Sequence, residues 1–338
     1  MESFMEIKNI LEDLTNARGV SGGERGAAEA AAKYLSEICE ETSVDKMGSV
    51  IGKIKGRSGK RRIMLEAHID QVGFLVTEID ENGCLSFGAV GGIDKRILPG
   101  LRVRILAEKS VLSGVILSPQ KVQDKTPDIK DLKIFTGLDE KQAKEQIRLG
   151  DLIVYDYELT ELLSDNLCSG AMDNRAGMTA LILAAEKISK NRPEDDIYIV
   201  FSTQEELGLR GAYTAAHVVD PDLAIVVDVT HGATEDSKDS PAVFELGCGA
   251  VVLRGPSVDY EKSLRLIKAA EKYNIPHEIE VAGGASGTTA WAIQTAGSGV
   301  PAVLISIPLR YMHTNVEVLN TNDIAAAAEL VYRGTEVL

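Results

Sequence analysis

Ile197-Tyr198-Ile199-Val200-Phe201, and the turn after it, Ser202-Thr203-Gln204-Glu205-Glu206, decide how this chain is read. The apolar run is short and rich in β-branched and aromatic residues, which predicts a buried strand over 196–203. The two carboxylates beyond it repel each other and are costly to bury without cations. A solvated helix start is the alternative, because acids suit helix N-termini. Three further runs have the same layout. His68 follows Ile63-Met64-Leu65, Asp228 closes Leu223-Ala224-Ile225-Val226-Val227, and His313 comes shortly after Ala302-Val303-Leu304-Ile305-Ser306-Ile307. Open α/β sheets place their sites at the carboxyl ends of such strands.

The fifth candidate ligand, Asp173, lies in the loop Ser169-Gly170-Ala171-Met172-Asp173-Asn174-Arg175, just before a helix predicted over 177–190. A carboxylate there can simply cap the helix. It can also bridge two ions, one on each oxygen. His68 alone would read as a satisfied core histidine. With Asp70 two residues on, it reads as a ligand supported by a carboxylate that fixes its tautomer. Asp228 ends an apolar strand, where an uncompensated charge is expensive. Two His and three acids suit Zn²⁺, Co²⁺ or Mn²⁺ and exclude a thiolate-rich site. Five ligands are too many for one tetrahedral zinc. They suit two ions roughly 3.5–4 Å apart that share a carboxylate, with a bridging water as nucleophile. Glu205 is then left to act as general base, and hydrolysis is favoured over redox chemistry.

Elsewhere the pattern predicts helices over 4–16, after the Ser21 cap to about Glu40, and over 208–218, 260–272, 290–296 and 322–336. Strands are predicted over 44–54, 62–66, 223–229 and 301–307. Ser21-Gly22-Gly23-Glu24 reads as a capping box with Ser21 as cap. Residues 74–157 differ: they are rich in glycine and in short alternating stretches, with one helix over 140–148. This predicts a small β-rich domain inserted into an α/β domain made of 1–73 plus 158–338, and no candidate ligand lies inside the insert. Alternating helices and strands predict a largely parallel or mixed sheet covered on both faces.

The net charge of −15 argues against nucleic acid, which needs a basic surface. The four cysteines, Cys39, Cys84, Cys168 and Cys248, are far apart and predict free thiols in a reducing compartment. The N-terminus lacks a signal-peptide pattern and no run is long enough to cross a bilayer, so a cytoplasmic location with no membrane contact is the expectation. Gly283-Gly284-Ala285-Ser286-Gly287 allows close backbone approach to a ligand, but it lacks the setting of a phosphate loop. His231 is near enough to Asp228 to reach the site. His217 and His277 read as structural or surface residues. Arg310 reads as a substrate carboxylate anchor or the partner of an acid.

Several stretches together are similar to one family: Gly19-Val20-Ser21-Gly22-Gly23-Glu24, Ala67-His68-Ile69-Asp70-Gln71-Val72-Gly73-Phe74, Gly91-Gly92-Ile93-Asp94, Ala171-Met172-Asp173-Asn174-Arg175-Ala176-Gly177, Gln204-Glu205-Glu206-Leu207-Gly208-Leu209-Arg210-Gly211-Ala212 and Arg310-Tyr311-Met312-His313. The chain resembles, nearly end to end, the glutamyl-aminopeptidase and tetrahedral (TET) aminopeptidase family of di-metal exopeptidases, some of whose members carry an endoglucanase label. The resemblance implies that His68, Asp173 and Asp228 bind one metal and that Asp173, Glu206 and His313 bind the other. It implies two divalent ions, Zn²⁺ or Co²⁺, with Asp70 supporting His68 and Glu205 as the base. It further implies a zinc-exopeptidase-like three-layer α/β/α domain, an inserted PDZ-like β-domain used in dimer contacts, peptide substrates, and dimers able to form a tetrahedral dodecamer.

Three departures stand out. Gln71 replaces the usual Glu, and Thr289 the usual acid of Gly-Thr-Asp-Ala, which bears on substrate preference and turnover. Leu117-Ser118-Pro119-Gln120-Lys121-Val122 lacks the histidine often found there. Two other readings remain to be weighed. A glycosidase needs two unligated carboxylates and usually an aromatic platform, whereas here the acids are committed to metals and aromatics are 5% of the chain. A catalytically weakened metal-binding homologue would lack turnover, yet the ligand set and Glu205 are intact.

Overall fold

The computed structural model describes residues 2–117, 126–237, 239–240 and 242–338; Ser118–Val122, and with it the missing histidine, lies outside them. The apolar runs do become adjacent strands. Asp196–Ser202, Arg62–His68, Leu223–His231 and Ala302–Leu309 pair in parallel in that order, in the middle of an eight-stranded sheet. Val50–Ile54 and Glu41–Val44 extend one edge in antiparallel fashion. Ala250–Arg254, antiparallel to Ala302–Leu309, and His277–Val281 extend the other.

Strand alternation gives the sheet two apolar faces. Ile63, Leu65, Ile197, Ile199, Ile225, Val227, Val303 and Ile305 pack with helices Glu2–Asn16, Arg25–Ile38, Met172–Lys190, Tyr260–Tyr273 and Thr321–Val337. Met64, Val200, Ala224, Val226 and Leu304 pack with Arg210–Val219 and Thr289–Gln294. This is a mixed α/β fold with helices on both faces of one sheet.

The glycine-rich stretch closes on itself. Gly73–Ile79, Leu85–Val90, Ile134–Phe135, Ser110–Ile116, Arg102–Ala107 and Leu152–Tyr155 form a six-stranded closed barrel, with the helix Glu140–Gln146 beside it. Closure leaves no free sheet edge. Its core holds Phe74, against which Phe87 and Tyr155 stand edge-on at 5.2 and 5.4 Å. Val20, Val90 and Val154 form a separate small core where the N-terminal segment meets the barrel.

Four sequence expectations need correction. Ser21 does not cap a helix: the helix starts at Arg25, Glu24 accepts from the Gly22 N–H, and the Ser21 hydroxyl donates to Asp70 instead. The strand expected over 44–54 is two strands, because Asp45 Oδ1 accepts the Met47 and Ser49 N–H groups and folds a turn. Strand Ala250–Arg254 and the small sheet Thr160–Glu161, Asn166–Ser169 and Glu317–Asn320 were not among the expected elements, whereas His277–Val281 begins where the residues after Pro276 predict a strand start. Arg62–His68 and Leu223–His231 run past the ends expected at 66 and 229, and the first stops at His68, so Asp70 does not share a strand with it.

Candidate metal centre

The parallel strands deliver their terminal residues to one edge. Val226 pairs with Glu66 on the neighbouring parallel strand, so Asp228 and His68, each two residues further on, lie at similar depth. The turn after Ser202 holds Glu205 and Glu206. Asp173 and Asn174 lie at the start of helix Met172–Lys190 with non-helical backbone angles, and the peptide between them is cis. Asn174 ties this loop to the sheet, donating to the Val227 carbonyl at 2.8 Å and accepting from the Gly177 N–H at 2.9 Å.

The five sequence-derived ligands converge. His68 Nε2 is 3.0 Å from Asp173 Oδ1 and 3.6 Å from Asp228 Oδ1. His313 Nε2 is 3.3 Å from both Asp173 Oδ2 and Glu206 Oε1. The two oxygens of Asp173 therefore face different histidines. His68, Asp173 and Asp228, and likewise Asp173, Glu206 and His313, each offer ligand atoms within 4.8 Å of one another. His68, Glu205 and Glu206 form a third such group, so Glu205 also stands within reach of an ion. The donor chemistry fits divalent cations. Four carboxylates, of Asp173, Glu205, Glu206 and Asp228, crowd here; among the described residues lining the cleft the bases are the imidazoles of His68, His231 and His313, and buried like charges require a counter-charge.

The charge balance shows the same strain. Burial and then the Asp228, Glu206 and Asp173 carboxylates push Glu205 up to about 9, against the opposing field of His68. Burial works against charge on His313, but its bonds to Asp173 and Glu206 carry it up to about 11. Burial is the largest single effect on His68 and opposes its charge, but Asp173, Asp228 and Asp70 together outweigh it and raise its pKa. Asp173 is held well below the usual carboxylate range; burial opposes this, and the two histidines outweigh it.

The surrounding shell explains how the ligands are aimed. Asp70 is fully buried. Its carboxylate accepts the N–H of Glu205 at 2.9 Å and of Glu206 at 3.1 Å, and also the Ser21 hydroxyl. Its backbone carbonyl faces His68 Nδ1 at 3.1 Å, while the nearer carboxylate oxygen is 3.7 Å away. The chain leaves the strand at His68, so the expected side-chain support comes mainly from the carbonyl. The carboxylate holds the Glu205–Glu206 turn. Glu317, which the sequence reading missed, is buried and accepts the N–H of His313 at 2.7 Å and of Asp173 at 3.2 Å. Its only sequence signal was an acid inside Val316-Glu317-Val318-Leu319. Gln204, Tyr311 and His313 adopt φ of 56°, 61° and 65°, a region that non-glycine residues rarely occupy and that often marks functional sites. Gly91 and Gly92 bring the barrel against the ligands. A Cβ at Gly91, itself at φ 83°, would lie 3.4 Å from Glu206 Cβ, and one at Gly92 3.3 Å from His313 Nδ1.

The ligands open into a cleft of about 320 Å³, also lined by Thr230, His231, Leu253, Glu280, Ser286 and Thr288. The glycine-rich loop thus reaches the cleft, as expected, but Thr289 does not line it. Thr289 is buried and donates to the fully buried Glu66, which also accepts from Ser202 Oγ at 2.6 Å. An acid at 289 would face another carboxylate. Burial pushes Glu66 up to about 7 even with these two donors. Gln71 belongs to none of the three ligand groups and accepts from Tyr157 OH at 3.0 Å. His231 lines the cleft but belongs to none of the three ligand groups, and Arg310 pairs with Glu245 at 3.3 Å. His217 is exposed on its helix, and His277 Nδ1 meets the Ile275 carbonyl.

Comparison with known proteins fits this geometry. The lysyl aminopeptidase of Pyrococcus furiosus is 32% identical over 325 residues, covering 93% of this chain and 92% of its own. The solved aminopeptidase APDkam598 of Desulfurococcus kamchatkensis superposes with a TM-score of 0.92 at 31% identity, over 97% of this chain and 94% of the other. The TET1 peptidase of Pyrococcus horikoshii, which can assemble into a tetrahedron or a large octahedral shell, gives 0.88 at 28% identity, over 98% and 100%. The M42 glutamyl aminopeptidase model matches residues 48–330, and the chain belongs to that family.

Proposed function

We propose that this chain is a metal-dependent aminopeptidase that removes N-terminal residues from peptides using two divalent ions, Zn²⁺ or Co²⁺. One ion would be held by His68, Asp173 and Asp228, the other by Asp173, Glu206 and His313. The observation that carries this reading is Asp173, whose two oxygens each face a separate histidine–carboxylate pair. Such a pair of ions, when bound, polarises a carbonyl and brings the pKa of water towards neutrality. Glu205 is buried at the cleft edge of the turn and is assigned the proton transfer. Its carboxylate takes a proton from the attacking water and gives it to the leaving amine as the C–N bond breaks. Cations nearby would lower its pKa from the value set by the carboxylates alone. Asp70 and Glu317 orient the peptide groups from which Glu205, Glu206, Asp173 and His313 project.

The division into 1–73 plus 158–338 and an insert of 74–157 belongs to the same proposal. The barrel strands between Gly73 and Tyr155 support it. A PDZ-like identity for that insert and its use in dimer contacts are proposals too, as is assembly into a tetrahedral dodecamer, which the tetrahedron described for the TET1 peptidase supports. A cytoplasmic location agrees with four free cysteines. Among the described residues no helix is long and apolar enough to cross a membrane. Among the described residues, no feature of the cleft favours a glycosidase or an inactive homologue.

The test is turnover of aminoacyl anilides and short peptides with Zn²⁺, Co²⁺ and Mn²⁺, beside cello-oligosaccharides. Peptide cleavage from the amino end is expected, and a Glu205→Gln protein that keeps its metals should lose roughly 10²–10⁴-fold in kcat. Undiminished kcat in that variant refutes the role of Glu205. Cleavage of the sugars alone refutes the peptidase reading.

A further inference from the structure

One acid in the cleft belongs to none of the three ligand groups. Glu280, on strand His277–Val281, is partly buried and lines the cleft wall. Its Oε2 accepts the Thr230 hydroxyl at 3.1 Å, which fixes the carboxylate in place. Thr230 is two residues beyond Asp228 on the same strand. Its side chain therefore lies on the same face, about 7 Å further along. That separation matches the reach of one long side chain. Among the described residues lining the cleft there is no Lys or Arg; the bases are His68, His231 and His313. The first and last are ligands in the reading above. His231, exposed at the rim, is the base whose field reaches Glu280, and no ion pair joins the two. Burial raises the Glu280 pKa, and Thr230 and His231 moderate the rise. Leu253, Ala282, Ala285 and Leu304 supply apolar wall beside it.

An apolar wall that ends at an acid suits a side chain with an aliphatic stem and a cationic head. In an aminopeptidase the residue released is the one next to the scissile bond, so its side chain must lie close to the ligand groups. We propose that Glu280, held by Thr230, is the specificity-determining residue of this cleft, selecting substrates whose N-terminal residue is lysine or arginine and rejecting those that begin with glutamate. A glutamate side chain placed there would face a fixed carboxylate with no lysine or arginine to offset it, and like-charge juxtaposition is strongly unfavourable. This inference rests on the aminopeptidase reading and goes beyond it by naming the substrate class.

The experiment is a kcat/KM panel on lysyl, arginyl, leucyl and glutamyl p-nitroanilides with the Co²⁺-loaded protein, its Glu280→Gln and Glu280→Lys variants, and Glu278→Gln as a control at an exposed position on the same strand. Metal content and thermal midpoint are measured on every sample, so that a misfolded variant is recognised. The native protein should favour lysyl over glutamyl substrate by about 100-fold or more. Glu280→Gln should cut the lysyl-to-leucyl ratio roughly tenfold or more, and Glu280→Lys should move the preference towards glutamyl. Glu278→Gln should leave the ratio as it was. If leucyl substrate is cleaved but lysyl is not favoured, or if Glu280→Gln keeps the native ratio, this inference falls and the aminopeptidase reading stands. If no anilide is cleaved by metal-loaded protein, both fall together.

Discussion

Asp70→Asn separates the support of the Glu205–Glu206 turn from the proposed ligands themselves. Asp70 carries no proposed metal bond, yet its carboxylate accepts two backbone N–H groups in the turn that presents Glu205 and Glu206. An amide of the same shape keeps one acceptor oxygen and turns an NH₂ towards a second N–H. One buried donor is then left without a partner, which costs about 1–3 kcal/mol. For a chain of 338 residues that lowers the thermal midpoint of the chelated protein by roughly 1.5–4 °C. The turn also loses its fixed direction, and weakening the support behind a metal ligand typically lowers affinity about 10–100-fold. The loss should fall on the ion held by Glu206, while the His68 carbonyl contact survives because Asp70 makes it through its backbone. Stepwise metal titration by calorimetry and kcat on an aminoacyl anilide read both effects. If Asp70→Asn binds both ions within about threefold of the native affinity and keeps its kcat, the carboxylate does not hold this turn and the reasoning is wrong.

Thr289→Asp should place a second carboxylate against Glu66, which is already pushed up to about 7 by burial, so the variant should lose stability as pH rises from 6 to 8 relative to the native protein; thermal melts at both pH values check it, and parallel melting curves would refute it. Metal affinity should rise with pH. His68 and His313 hold protons well above their usual range, His313 up to about 11, and binding an ion must release them. The same raised values stabilise the chelated protein most below the ordinary histidine pKa of about 6.5, an advantage lost as pH climbs towards 11. Titration calorimetry in buffers of different ionisation enthalpy counts the released protons, and pH-independent affinity would contradict this.

The convergence of the candidate ligands was legible because sheet geometry converts sequence into position. A polar residue at the end of each of several apolar runs had to arrive at one sheet edge once those runs paired in parallel, and His68, Asp228 and Glu206 did so. Asp173 and His313 were legible only as loop residues near such ends. What escaped was support through the backbone. Glu317 acts on the N–H groups of Asp173 and His313, and Asp70 on those of Glu205 and Glu206, and no side-chain pattern announces which peptide groups a carboxylate will meet. Thr289 was read by its loop and not by its neighbour, because the contact with Glu66 spans more than two hundred residues of chain. The closed barrel was legible as alternating strands with turns, but not as a closure, since pairing of Leu85 with Ile134 depends on register set by residues far apart.

The central claim is that Asp173 joins two cation sites, and anomalous scattering from crystals of the Zn²⁺-loaded protein tests it most directly. The account predicts two peaks about 3.5–4 Å apart with Asp173 between them, His68 and Asp228 on one side and Glu206 and His313 on the other. A single fully occupied peak at saturating Zn²⁺, or ions bound away from Asp173, would contradict it.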